Sequence, residues 1–198
     1  MSTATVGVRL ANGCVVAVFA WNVVRFGIAL RRGFTRPDGV PRLMRLMGLC
    51  GAVAAVANGW VIAWAGTAPL WRAALALLIL GVSQWVFRAA ERATRAQRLS
   101  IAFSTDLPGH LNQAGPYRLV RHPFYLAYLL TWAGAAVATA HPASLAVLPG
   151  MAAFYAFAAS QEEGKFLRSP LAAAYRRYQA ATGRFLPRLT PRKAGITL

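Results

Sequence analysis

Long apolar runs broken by short arginine-bearing stretches set the plan of this chain. A helix that crosses a bilayer needs about 20 mainly apolar residues. Five segments approach that length: Leu10–Leu30, Leu46–Gly66, Leu70–Phe87, Pro123–Ala140 and Ala143–Ser160. The last two are short and separated only by Ala140-His141-Pro142, which predicts a helical hairpin. Gly48, Gly51 and Gly59 in the second run predict close contact with a neighbouring helix. The stretch Arg31–Arg45, with Gly33, Pro37, Gly39 and Pro41, reads as a connection.

Beyond these runs the pattern changes. Phe87–Leu99 is expected to prolong the third helix, and Ser100–Ala114 mixes apolar residues with Asp106, Pro108, Gly109 and His110, as a loop lining a site does. Ser169-Pro170 reads as a helix start, with Ser as cap and Pro in the first helical position. Leu171, Tyr175, Tyr178 and Thr182 then recur at helical spacing with Arg176 and Arg177 off the stripe, and Gly183 reads as the stop. The expected fold is an all-α integral membrane protein: five transmembrane helices and a C-terminal amphipathic helix on the cytoplasmic surface.

Composition supports the bilayer. The 198 residues are 57% hydrophobic, with 22 Lys+Arg against 5 Asp+Glu. A net charge of +17 raises nucleic acid as a partner, but the basic residues flank apolar runs, which favours an anionic membrane leaflet instead. Their distribution also orients the chain. Five arginines lie in 31–45, six in 88–121 and eight Lys+Arg after Ser160, all on one side of a five-span arrangement. Positive charge marks the cytoplasmic side, so the N-terminus is expected outside and the C-terminus inside, in a membrane such as the bacterial inner membrane. All five acidic residues fall on that side too. No cleavable signal peptide is expected, because Asn12, Asn22 and Arg25 interrupt the first run. Cys14 and Cys50 lie within apolar runs and read as small buried hydrophobes.

Two stretches carry candidate chemistry. In Gly115–Tyr128, GPYRLVRHPFYLAY, His122-Pro123 starts a helix, and a helix start favours carboxylate or phosphate. Arg118 and Arg121 add charge, and Tyr117, Tyr125 and Tyr128 offer faces to a flat ring. The competing reading is that His-Pro merely caps a helix, as His141-Pro142 is expected to do at the other end without charged neighbours. The second stretch holds Glu162 and Glu163. Adjacent residues on a helix point about 100° apart, so one can face a shared site. Either Glu162 pairs with Lys165 in solvent while Glu163 faces a ribose diol or an ammonium, or the assignment is reversed, or both only balance nearby arginines. No nucleotide-binding, zinc-protease or serine-nucleophile signature is present, and three scattered histidines do not suggest a metal site.

GPYRLVRHPFYLAY followed by EEGKFLRSPLAAAYRRYQAATGRFLPR resembles the integral-membrane methyltransferases related to isoprenylcysteine carboxyl methyltransferase, and phospholipid N-methyltransferases share the pattern. The resemblance covers Gly115–Arg188; the first three spans match only in hydropathy. It implies methyl transfer from S-adenosylmethionine to a membrane lipid or lipophilic small molecule at the cytoplasmic face, on oxygen, nitrogen or sulfur. It also implies one membrane domain, with residues 1–90 as scaffold and 91–198 as the cofactor-binding and catalytic region. Carried over, His122, Tyr117 and Tyr125 would hold the cofactor with one of Glu162 and Glu163, Arg184 would close the site, and Arg121 would assist any acceptor that must lose a proton. Ala127, Leu171-Ala172 and Ala158 depart from the family pattern, which commonly has glycine, Phe-Gly and arginine there; the last bears on the acceptor. Two rivals remain: an NADPH-dependent membrane reductase of the sterol-reductase type, and a non-enzymatic protein that binds anionic lipid.

Overall fold

The computed structural model describes residues 3–32, 34–35, 41–64, 69–95, 99–100 and 107–188. Its helices are α1 (Thr3–Arg32), α2 (Arg42–Trp64), α3 (Leu70–Ala93), α4 (Pro123–Thr139), α5 (Pro142–Leu167) and α6 (Ala172–Ala181), with a single 3-10 turn at Gly115–Arg118 before α4. Phe34–Thr35 and Leu99–Ser100 pair in parallel and tie the two connections together. Among the described residues four helices are long and apolar enough to cross a membrane; α4, with 17 residues, is shorter. At 1.5 Å per residue it spans about 25 Å, less than a hydrocarbon core of about 30 Å. The chain is an all-α membrane protein.

The boundaries refine the expected ones. The third helix runs on past Phe87 but stops at Ala93, where the Thr94 hydroxyl donates back to the Ala90 carbonyl at 3.0 Å. The fifth runs past Ser160 to Leu167, so the glutamate pair lies on α5 itself. The Ser169 hydroxyl accepts from the Leu171 amide at 3.1 Å, forming a turn, and α6 begins only at Ala172. Gly33, Pro37, Gly39 and Asp106 lie outside the described residues.

Packing is tightest between α3 and α4. A Cβ on Gly134 would stand 2.9 Å from Leu80 Cγ, so only glycine permits this approach. Beside it a polar network is sealed inside the bundle. Ser83 Oγ donates to the Ala127 carbonyl at 2.6 Å and lies 2.8 Å from Thr131 Oγ1, while Asn22 Nδ2 reaches the Leu80 carbonyl at 3.1 Å. Polar groups within a bilayer need such partners, and each is worth about 0.6–2 kcal/mol. Arg25 is settled in the same way: it pairs with Glu91 of α3 at 2.9 Å.

Two expectations are corrected. Cys14 is exposed and Cys50 only half-buried, because a bundle in lipid has two apolar environments and α1 turns Cys14 toward the outer one. The α2 glycines do not mediate close helix contact: nothing lies within 4 Å of a Cβ on Gly48 or Gly59, and Gly51 meets only Met151 Cε at 3.8 Å. Gly48 and Gly51 instead leave space inside the bundle.

The α4–α5 turn stores strain, since Ala140 holds the left-handed conformation at φ 46°. This costs a residue with a Cβ on the order of 1 kcal/mol. Ala140→Gly should raise the unfolding free energy of the detergent-purified protein by about 1 kcal/mol; unchanged or lower stability in a denaturation series would refute the strain.

Candidate functional site

The hairpin register builds the site. His122 precedes α4, and Glu162 and Glu163 lie near the far end of α5, on the return leg of the same hairpin. They therefore meet at the arginine-rich end of the bundle. The two His-Pro helix starts then differ in use. The exposed His141 ring caps its own helix, Nδ1 accepting from the Ala143 amide at 3.2 Å. His122 makes no side-chain cap, and its ring is 8% exposed, between the two glutamates.

Glu163 is the centre of an ion cluster. Its Oε1 accepts from Arg121 Nε at 3.0 Å and Arg184 Nε at 3.2 Å and lies 3.0 Å from His122 Nε2. Its Oε2 accepts from Arg184 Nη2 at 2.7 Å and Gln179 Nε2 at 3.2 Å. Arg121 also donates to the carbonyls of Gln179 and Thr182. Backbone bonds seal the junction, Arg121 N to Gly183 O at 2.8 Å and His122 N to Arg184 O at 3.2 Å. This close strap needs Gly183, where a Cβ would fall 1.7 Å from the Leu186 carbonyl oxygen. The Tyr178 hydroxyl donates to the Tyr117 carbonyl at 2.6 Å and pins α6 to the turn before α4.

Glu162 points elsewhere. It accepts from the Tyr125 hydroxyl at 2.6 Å, and its other oxygen lies 3.3 Å from His122 Nδ1. Both imidazole nitrogens thus face carboxylates, an arrangement only the doubly protonated ring satisfies with two donors. Burial opposes the charge on His122, but its hydrogen bonds to Glu162 and Glu163, and their charges, outweigh that, so the ring titrates above its ordinary range.

Glu162, Tyr125 and His122 line a cavity of about 560 Å³. Its polar end also has Tyr117, Arg121 and Lys165, and the loop Leu107–Asn112 lines it as expected; its other walls are apolar, from α1, α2, α4 and α5. Of the seven residues singled out as site candidates, Tyr117, Arg121, His122, Tyr125 and Glu162 line the cavity, whereas Glu163 and Arg184 stand behind it in the ion cluster. The reading of Glu162 and Lys165 as a solvated pair is corrected, since Lys165 is 5% exposed. Glu163 balances Arg121 and Arg184, not Arg176 and Arg177, which are exposed. Sequence reasoning missed Tyr155, Trp132 and Gln179. For Tyr155 a signal existed: Met151, Tyr155, Ala158, Glu162 and Lys165 share one helical face of α5, and all line the cavity.

Removing the Glu163 charge leaves Arg121 and His122 buried without their shared counter-ion. Glu163→Gln should therefore cost about 3–5 kcal/mol of stability, and Glu162→Gln, at a carboxylate that is 24% exposed, clearly less. The His122 contribution has a definite pH sign. A folded pKa raised above the unfolded one gives stability that is complete below about pH 6.5 and lost as pH rises through the folded value. Thermal unfolding across pH 5 to 9 should show that loss in wild type and a flatter profile in His122→Gln; parallel profiles would remove His122 as the titrating group.

A family model described as phospholipid methyltransferase matches residues 70–173, from the start of α3 into the first turn of α6. No curated protein and no solved structure matches the chain. The matched region reaches further back than the resemblance read from motifs, taking in α3, the first stretch and the glutamate pair, and ends before Gln179 and Arg184. Because it spans more than half of the 198 residues, the chain belongs to the phospholipid methyltransferase family.

Proposed function

We propose that this membrane methyltransferase transfers the methyl group of S-adenosylmethionine to a lipophilic acceptor at the cytoplasmic face. One observation carries the reading: a single cavity joins a charged end to an apolar channel between helices. Family membership supports methyl transfer to a lipid-type substrate. The gathering of Lys and Arg in 31–45, 88–121 and the C-terminal segment supports a cytoplasmic site with the N-terminus outside.

The residues of the polar end fit the cofactor. Glu162 offers a carboxylate to a ribose diol or an ammonium, and Tyr125 and His122 fix its orientation. The rings of Tyr125, Tyr128 and Tyr155 line the same space. Behind them Arg121, Glu163 and Arg184 hold the C-terminal strap against the start of α4, so we assign Arg121 and Arg184 to positioning and closure. Bound S-adenosylmethionine supplies an already activated methyl group. What remains for the protein is alignment and exclusion of water. Burial raises Tyr117, Tyr175 and Tyr178 well above the ordinary phenol range, so they serve as hydroxyl donors and not as bases. This suits an acceptor that is nucleophilic at neutral pH, such as a free amine or a carboxylate.

The acceptor chain runs along α2, where Met47, Gly48, Gly51 and Ala55 line the cavity together with Trp132 and Met151. Calorimetry with S-adenosylhomocysteine should show saturable binding to the detergent-purified protein, weakened about tenfold or more in Glu162→Gln. Gly51→Leu should keep that affinity while slowing transfer to long-chain acceptors. Binding of NADPH in place of S-adenosylhomocysteine would overturn the methyl-transfer reading in favour of the reductase.

A further inference from the structure

The cavity stops partway through the bundle. Its lining reaches Val23 on α1, Ala55 on α2, Trp132 on α4 and Met151 on α5, and among the described residues none from the helix ends remote from the ion cluster takes part. Beyond that level the bundle is packed: Ala55, Trp132 and Met151 also belong to a hydrophobic core with Val15, Phe19 and Ala135. Eleven residues of α5 separate Met151 from Glu162, which at 1.5 Å per residue is a depth of about 16 Å. Half of a hydrocarbon core of about 30 Å is nearly the same distance, the depth to which an acyl chain of a membrane lipid reaches.

The wall that closes the cavity is rigid on its α4 side. Trp132 is buried, its Nε1 donates to the Tyr155 hydroxyl at 3.1 Å, and its ring meets Phe19 edge-on with centroids 6.0 Å apart. Tyr155 is held in turn, stacked on Tyr125 at 5.4 Å, and Tyr125 donates to Glu162. A large ring fixed in this way resists a longer chain, because a close-packed core has no space into which it can retreat. Met151, the other large side chain at this end, is unbranched and adapts. We propose that Trp132 sets the longest apolar chain the cavity accepts, so that the acceptor is a lipophile whose chain is about one leaflet deep. The assignment rests on the reading of the cavity as the acceptor site.

The probe is a series of monoacyl phosphatidylethanolamines from octanoyl to stearoyl. Binding to the full chain in amphipol is measured by calorimetry for wild type, Trp132→Phe and Trp132→Ala. Each methylene that enters the cavity should tighten binding about fourfold, and the gain should stop where the chain end meets Trp132. In Trp132→Ala the stop should move to longer chains, and a chain too long for wild type should gain about tenfold or more. Trp132→Phe should move it less, in the same direction. The proposal is overturned if the stop falls at the same length in all three proteins, or if wild type shows no stop, as partition into amphipol alone would produce. Should Trp132→Ala lack a cooperative thermal transition, Trp132→Phe decides by the same criterion. S-Adenosylhomocysteine binding is measured beside the series. Its absence in wild type would count against the methyl-transfer reading, while the position of the stop would still decide Trp132.

Discussion

A carboxylate buried among cations, Glu163, holds the business end of this protein together. Arg121 and His122 reach it from the segment before α4, Arg184 from the strap after α6, and Gln179 from α6 itself. Such a cluster adds little net stability, because each ion loses its hydration. What it gives is geometry: three chain segments far apart in sequence have one low-energy arrangement. The backbone bonds from Arg121 and His122 to the strap follow from it, and so does the orientation of the His122 ring, whose second nitrogen then fixes Glu162.

The adjacent glutamates divide two tasks that one carboxylate could not perform. About 100° apart on α5, Glu163 turns to the strap and Glu162 to the cavity. Glu163 can be buried so thoroughly because its charge is matched by protein cations. Glu162 is held by one phenol and one imidazole, so it is oriented while still lining open space. The division also explains why Arg184, though it does not line the cavity, matters to the site: it fixes the residue that fixes His122.

Much of this was legible in the sequence. Apolar runs located all five helices of the bundle, and the tight Ala140-His141-Pro142 turn implied the register that brings His122 to the glutamates. The Tyr175, Tyr178 and Thr182 stripe is the buried face of α6. What stayed hidden depended on direction. The spacing of Glu162 and Glu163 says that they diverge, not which one meets the cations. The α2 glycines look the same whether a helix or a void stands opposite, and Cys14 looks the same whether protein or lipid covers it. His122 and His141 share the dipeptide, and only the tertiary setting separates a cap from a site.

The shortness of α4 connects these features. Held between Pro123 and the strained Ala140, it is too short for the bilayer thickness that α3 and α5 can span. At its start the segment before α4, the end of α5, α6 and the strap converge on the charged cluster, which lies beside the cavity. The cavity extends from that end to the α2 face, where Gly48 and Gly51 leave space rather than fill it. A charged ligand and an apolar chain can then meet in one cavity without either crossing the medium that excludes it. In the proposed reading this is the physical problem that a methyltransferase of lipids must solve.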